Sequence, residues 1–191
     1  MVLIAINVVV FLLCRVTPSL TVNLSLVPLY VKFRHYYWQF FTYMFVSGSV
    51  MHLLSNMIAL LVFGRVVEHA VGTKEFLLYY FLTGVLCSGA AYAYSAFAGR
   101  YQMVILGASG AIYAVMLLFA VILPQAVVLV FGIIPVRAPI LVLFYFLLDF
   151  FGQFSSDGIA HNVHLFGIFF GTLYMLIRMR MNPLKAWGIM D

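Results

Sequence analysis

Four stretches of this chain, residues 35–64, 76–99, 101–136 and 158–177, contain no Asp, Glu, Lys or Arg. Runs of this length and polarity constrain the fold more than any other feature. Crossing the hydrocarbon of a bilayer as a helix takes about 20 mostly apolar residues. A transmembrane β-barrel would instead alternate apolar and polar residues in short strands. The runs ALLVFG, LLYYFLTGVL and ILVLFYFLL do not alternate. Of the 191 residues, 66% are hydrophobic and 8% charged, against about 45–50% and about 25% in a soluble domain. So much apolar surface has no place inside a small globule. A soluble domain, a disordered chain and a disulfide scaffold are excluded. Nucleic-acid binding is not expected: the net charge is +5, but the ten basic residues are scattered rather than clustered along a phosphate track. Cys14 and Cys87 both sit in apolar runs and read as small buried hydrophobes.

The expected fold is an all-α membrane protein, a compact bundle of six transmembrane helices in one domain, residues 1–191. The spans fall at about 2–16, 51–69, 75–97, 106–122, 138–152 and 159–177. The N-terminus has no basic region and no small-residue cleavage site, so the first run reads as a retained span rather than a signal peptide. Between the first two spans lies an apolar, proline-broken connection with Pro18, Pro28, Lys32, Arg34 and the cluster Tyr36, Tyr37, Trp38, Phe40 and Phe41. Trp and Tyr favour the headgroup level, which makes this an interfacial loop. Pro124 ends the fourth span. Residues 126–135 are too few to cross and read as an apolar turn, and residues 153–158 (QFSSDG) as a polar loop. Basic residues mark the cytoplasmic side. With the C-terminal tail inside, that face carries Arg65, Lys74, Arg137, Arg178, Arg180 and Lys185; the other carries Arg15, Lys32, Arg34 and Arg100.

Polar side chains at membrane depth are costly and usually face the bundle interior. His52 and Asn56 stand one turn apart near the start of the second span. Ser109 opens the fourth span in the string Gly107-Ala108-Ser109-Gly110, with Tyr113 one turn on. His161 and His164 begin the sixth, followed by Gly167 and Gly171. Spans two, four and six all start on the extracytoplasmic face, so His52, Asn56, Ser109, Tyr113 and His164 share one layer.

That layer suits nucleophilic catalysis. A serine attacks once a base takes its proton, and histidine is the usual base near neutral pH. An oxyanion needs donors, which His52, Asn56 and the Ser109 backbone N–H could supply. A histidine base works only when neutral, so the rate should fall on acidification. Asp149 and Asp157 flank the polar loop on this face, but nothing in the sequence puts either beside His164, so the expected arrangement is a dyad. Gly167 and Gly171 form a GxxxG face and Gly110 and Ala114 a small-xxx-small face; packed together they would draw Ser109 and His164 into hydrogen-bond range. Each element alone has a plainer reading. Serines and GxxxG strings are common in packed helices, a single intramembrane histidine more often bonds a neighbouring helix, and Glu68 and His69 fit an inner structural or interfacial role. His161 stays open as a loop residue, a partner of His164 or the base itself. A non-catalytic binder of membrane proteins and a haem-binding or transport protein are the alternatives from other classes.

The strings H-x-x-x-N (His52, Asn56), G-x-x-x-E (Gly64, Glu68), G-x-S-G-x-x-Y (Gly107, Ser109, Gly110, Tyr113) and H-x-x-G-x-x-x-G (His164, Gly167, Gly171), in that order over about residues 50 to 175, resemble the rhomboid family of intramembrane serine proteases. The resemblance implies a water-filled cavity open to the extracytoplasmic face. Ser109 would be the nucleophile and His164 the base. His52, Asn56 and the Ser109 N–H would form the oxyanion site, with Tyr113 supporting His164. Substrates would be transmembrane proteins in the same bilayer, cut where a helix unwinds, with no metal or cofactor; the loop at Phe154 and the gap near span five would admit them. The oligomeric state stays open. A bacterial inner membrane is the expected location, since no organellar presequence is evident. Two positions depart from the family pattern: Gln39 follows Trp38 where arginine is frequent, and Val163 precedes His164 where alanine is usual.

Overall fold

The computed structural model describes residues 2–130, 132–152 and 161–190. Phe154, Asp157, the QFSSDG loop and the first residues of the sixth expected span lie outside them. The described chain is mostly helical. Helix α1 (Val2–Val16) buries one stripe, Leu3, Asn7, Phe11 and Cys14, as an amphipathic spacing requires. Asn7 closes its amide onto the Leu3 carbonyl at 2.8 Å. Three short helices follow: α2 (Pro18–Leu24), α3 (Pro28–Arg34) and α4 (Gln39–Thr42). Proline opens both α2 and α3, where its missing N–H costs nothing. The aromatic cluster folds on itself here, with Tyr36 and Trp38 stacked at 4.3 Å.

Gln39 anchors this connection. It is fully buried, accepts from the Val27 N–H at 2.9 Å, and donates to the Val22 and Asn23 carbonyls at 3.1 Å each. A neutral amide offers an acceptor as well as donors, which an arginine in this place does not.

Helices α5 (Val50–Ala59) and α6 (Arg65–Val71) run on through a π turn at Leu60–Gly64 as one apolar rod, Val50–Val71. Gly72, at φ +84°, turns the chain into α7 (Thr73–Phe97). The next helix, α8 (Ser109–Ile122), is buried along almost all its faces, so it forms the centre of the bundle. Residues 106–108, expected within the fourth span, instead form the loop leading into it.

The segment expected as an apolar turn at 126–135 is an antiparallel hairpin, β1 (Val127–Val130) with β2 (Ile134–Arg137). β-Branched residues fit a pleated ribbon, and Gly132, at φ +76°, helps turn it. Helix α9 (Ala138–Gly152) comes next. Helix α10 (His161–Tyr174) follows and runs through a π turn, Met175–Met179, before α11 (Pro183–Ala186). Arg178 makes a two-pronged ion pair to Glu75 at 2.8 and 2.9 Å, and the Tyr174 hydroxyl donates to the same carboxylate at 2.6 Å. These contacts tie the end of α10 to the start of α7.

Among the described residues, three helices, Val50–Val71, Thr73–Phe97 and His161–Met179, are long and apolar enough to cross a membrane. Helices α1, α8 and α9 are apolar but shorter. The outer side of α9 leaves Ile140, Leu143, Phe144, Leu147, Leu148 and Phe151 exposed, a contiguous apolar face unsuited to water.

Candidate active site

The site begins where the loop 98–108 enters α8. Gly107 has φ +117°, and a Cβ there would lie 2.8 Å from the Cε1 and Nε2 atoms of His52. Only glycine fits both constraints. Its N–H bonds the Tyr43 carbonyl at 2.9 Å, so the interfacial connection holds this loop in place. Ser109 is then the first residue of α8.

His52 lies in the first turn of α5, whose N-cap Ser49 accepts from the His52 N–H at 3.0 Å. The Gly48 N–H donates to His52 Nδ1 at 3.4 Å. An imidazole that accepts at Nδ1 carries its proton on Nε2, the edge that meets Gly107 beside Ser109. Asn56, one turn on, is buried, and its Nδ2 has no hydrogen-bond partner. A buried donor left unpaired is costly, and such an exception calls for an explanation, a catalytic role being one. His52, Asn56, Ser109, Tyr113, Tyr145 and His164 line one cavity of about 620 Å³, together with Ile112, Met116 and Leu106.

Across that cavity α10 presents His164. Its Nε2 lies 2.8 Å from Ser109 Oγ, and Tyr113 stacks on its ring at 4.4 Å with planes 15° apart. The close approach of the two helices comes from small residues. A Cβ on Gly167 would overlap the Gly110 carbonyl, and one on Gly171 would lie 2.9 Å from the Ala114 Cβ. Val163, which departs from the pattern this sequence resembles, is buried against Gly110, so the side chain is accommodated in this helix interface.

The expectation that no acid accompanies the histidine is corrected here. Asp149, on α9 and 3% exposed, puts Oδ1 2.9 Å from His164 Nδ1 and 2.6 Å from His161 Nδ1. His161 therefore meets Asp149, and the imidazole on Ser109 is that of His164. Asp149 stands in an otherwise apolar helix (ILVLFYFLLDFFG). An intramembrane carboxylate calls for a partner, and that was the available signal. The three residues could also hold a metal, with donor atoms within 4.8 Å of one another. The two shortest separations are hydrogen-bond distances, whereas neighbouring ligands on a tetrahedral zinc stand about 3.3 Å apart. At the other end of the α5–α6 rod, Gly64 packs on Leu60 and Phe76, and Glu68 lines a separate small cavity.

Helices with lipid-compatible outer faces around a cavity that pairs a serine with a histidine define a class: an integral membrane protein with hydrolase-like site geometry. The comparison with protein families narrows it. The family model described as Rhomboid domain matches residues 34–181, most of the chain, and the chain belongs to the rhomboid family. Rhomboid proteins are in general intramembrane serine proteases that act on transmembrane substrates, and the family also includes pseudoproteases. No curated protein matches the chain.

Proposed function

We propose that this protein is an intramembrane serine endopeptidase that cleaves transmembrane proteins. In this reading the rod Val50–Val71 and helices α1, α7, α8, α9 and α10 are the six spans of a single domain. The cavity opens toward the extracytoplasmic side of a bacterial inner membrane. The observation that carries it is the 2.8 Å approach of Ser109 Oγ to His164 Nε2 inside a cavity that also holds the unpaired amide nitrogen of Asn56. The length of α8 supports the depth. Its 14 residues span about 21 Å at 1.5 Å per residue, less than the roughly 30 Å of hydrocarbon. Ser109 would therefore sit below the surface, reached by water through the cavity.

The chemistry follows from the groups present. The Ser109 hydroxyl gives its proton to His164 Nε2 as Oγ bonds to the scissile carbonyl carbon. The carbonyl π electrons move to oxygen. That oxyanion would be met by the Ser109 N–H, one of the helix-start donors without an intrahelical acceptor, together with His52 Nε2–H and the Asn56 amide. Collapse of the intermediate breaks the C–N bond, and Nε2–H supplies the proton to the leaving amine. Water then repeats the sequence on the acyl-enzyme, releasing the acid and restoring Ser109. Tyr113, stacked on His164, restricts rotation of the base.

The test uses purified protein in detergent with a transmembrane substrate, wild type beside Ser109→Ala, and a fluorophosphonate probe mapped by peptide analysis. Cleavage and labelling at Ser109 in the wild type alone support the reading. Equal cleavage by both proteins overturns it, and client binding unaffected by Ser109→Ala in an unlabelled protein makes the chain a non-catalytic relative.

A further inference from the structure

We infer that Asp149 is a positioning residue whose carboxylate, gripped between His161 and His164, keeps the proton of His164 on Nδ1 and its Nε2 free to receive the Ser109 proton. The inference rests on the proposed roles of Ser109 and His164 and adds α9 to a site expected to draw on spans two, four and six.

The donor inventory carries it. An ionised carboxylate only accepts hydrogen bonds. Asp149 Oδ1 lies at hydrogen-bond distance from both imidazoles, 2.6 Å from His161 Nδ1 and 2.9 Å from His164 Nδ1, so each of those nitrogens is the donor. A neutral imidazole has one N–H. With that proton committed to Asp149, Nε2 of His164 is an acceptor, 2.8 Å from the Ser109 hydroxyl. The other tautomer would turn a lone pair on Nδ1 toward the carboxylate and an N–H toward the nucleophile, and could take no proton from it.

Burial strengthens the constraint. Asp149 is 3% exposed, and its Oδ2 has no hydrogen-bond partner among the described residues. A carboxylate so placed depends on the polar groups that face it, the two imidazoles and the Tyr113 hydroxyl. His161, one turn before His164 on α10, meets the same carboxylate oxygen. Its own ring is seated on Gly152 of α9, where a Cβ would lie 2.6–2.9 Å from three ring atoms. The stack of Tyr113 on His164 resists the ring flip that would exchange the two nitrogens. When Nε2 receives the Ser109 proton, the cation forms beside a fixed negative charge, which lowers the barrier to that transfer.

The deciding measurement is histidine ¹⁵N NMR of the wild-type protein in detergent, with His164→Gln identifying the signal. The inference expects the proton on Nδ1. It also expects Asp149→Asn, whose amide can donate to Nδ1, to move the proton to Nε2 and lower kcat by at least about 100-fold with KM nearly unchanged; the corresponding change in a Ser-His-Asp triad costs about 10⁴. A wild-type proton on Nε2, or an Asp149→Asn enzyme within about threefold of wild-type kcat, overturns it. Should Asp149→Asn not fold, the wild-type spectrum decides. Wild-type protein that neither cleaves nor labels at Ser109 defeats the protease reading instead, and the spectrum still reports the Asp149 contact.

Discussion

Gly167 rests directly on the backbone carbonyl of Gly110, so closely that a Cβ at position 167 would occupy the space of that oxygen. One turn further along, Gly171 meets Ala114, whose carbonyl also accepts from the Tyr79 hydroxyl at 2.7 Å. Lipid offers no hydrophobic reward for pairing helices, so close backbone packing supplies the attraction. Here it also sets the gap across which Ser109 and His164 meet.

Gly167→Val should therefore push α10 away from α8. The expected cost is about 1–3 kcal/mol from overpacking, seen as a lower melting temperature, with cleavage and Ser109 labelling lost together. Gly89→Ala, in α7 with nothing within 4 Å of the added Cβ, is the control. It should keep activity and leave stability equal or higher, by up to about 1 kcal/mol. A Gly167→Val protein that cleaves normally would refute this packing role.

Asn56→Ala separates a catalytic donor from a structural one. If the unpaired Nδ2 awaits an oxyanion, kcat should fall by about 10²–10³ with little change in KM. Melting temperature should hold or rise, because no native hydrogen bond of that amide nitrogen is lost. A drop in stability with kcat intact would make Asn56 a packing residue.

Gly107→Ala adds a methyl against the His52 ring in a backbone conformation that L-residues avoid. Displacement of either His52 or the Ser109 loop follows, and activity should be lost. Gly99→Ala has positive φ but open space around the new Cβ. It should cost stability, on the order of 1 kcal/mol, without changing kcat measured below the melting transition.

Gln39→Ala would remove an amide that serves Val27, Val22 and Asn23. Leaving the buried Val27 N–H unpaired costs about 1–3 kcal/mol, so melting temperature should drop. Gln39→Arg should also destabilise, because it leaves the Val27 N–H without its acceptor. At low temperature both variants should still label at Ser109; loss of labelling would show that the connection shapes the site directly.

Much of this architecture is legible along the chain. Uncharged runs mark the long helices because a buried backbone must bond to itself. Glycines four apart mark the face where helices can touch, and polar residues in apolar runs single out His52, Asn56, Ser109, Tyr113 and His164, which the structure gathers around one cavity. The apolar stretch 127–137 is less legible, because a short β-branched run suits a turn, a helix end or a hairpin alike.

What the sequence determined alone is solvent and periodicity: which segments are helical, which faces are small, which side chains are too polar for lipid. Only the tertiary structure decided that Asp149 reaches His161 and His164, and that Gln39 ties the interfacial connection together. The reason is geometric. Periodicity reports the faces of one helix, whereas a contact between α9 and α10 depends on their relative rotation and tilt. Those are set by the packing of every side chain between them.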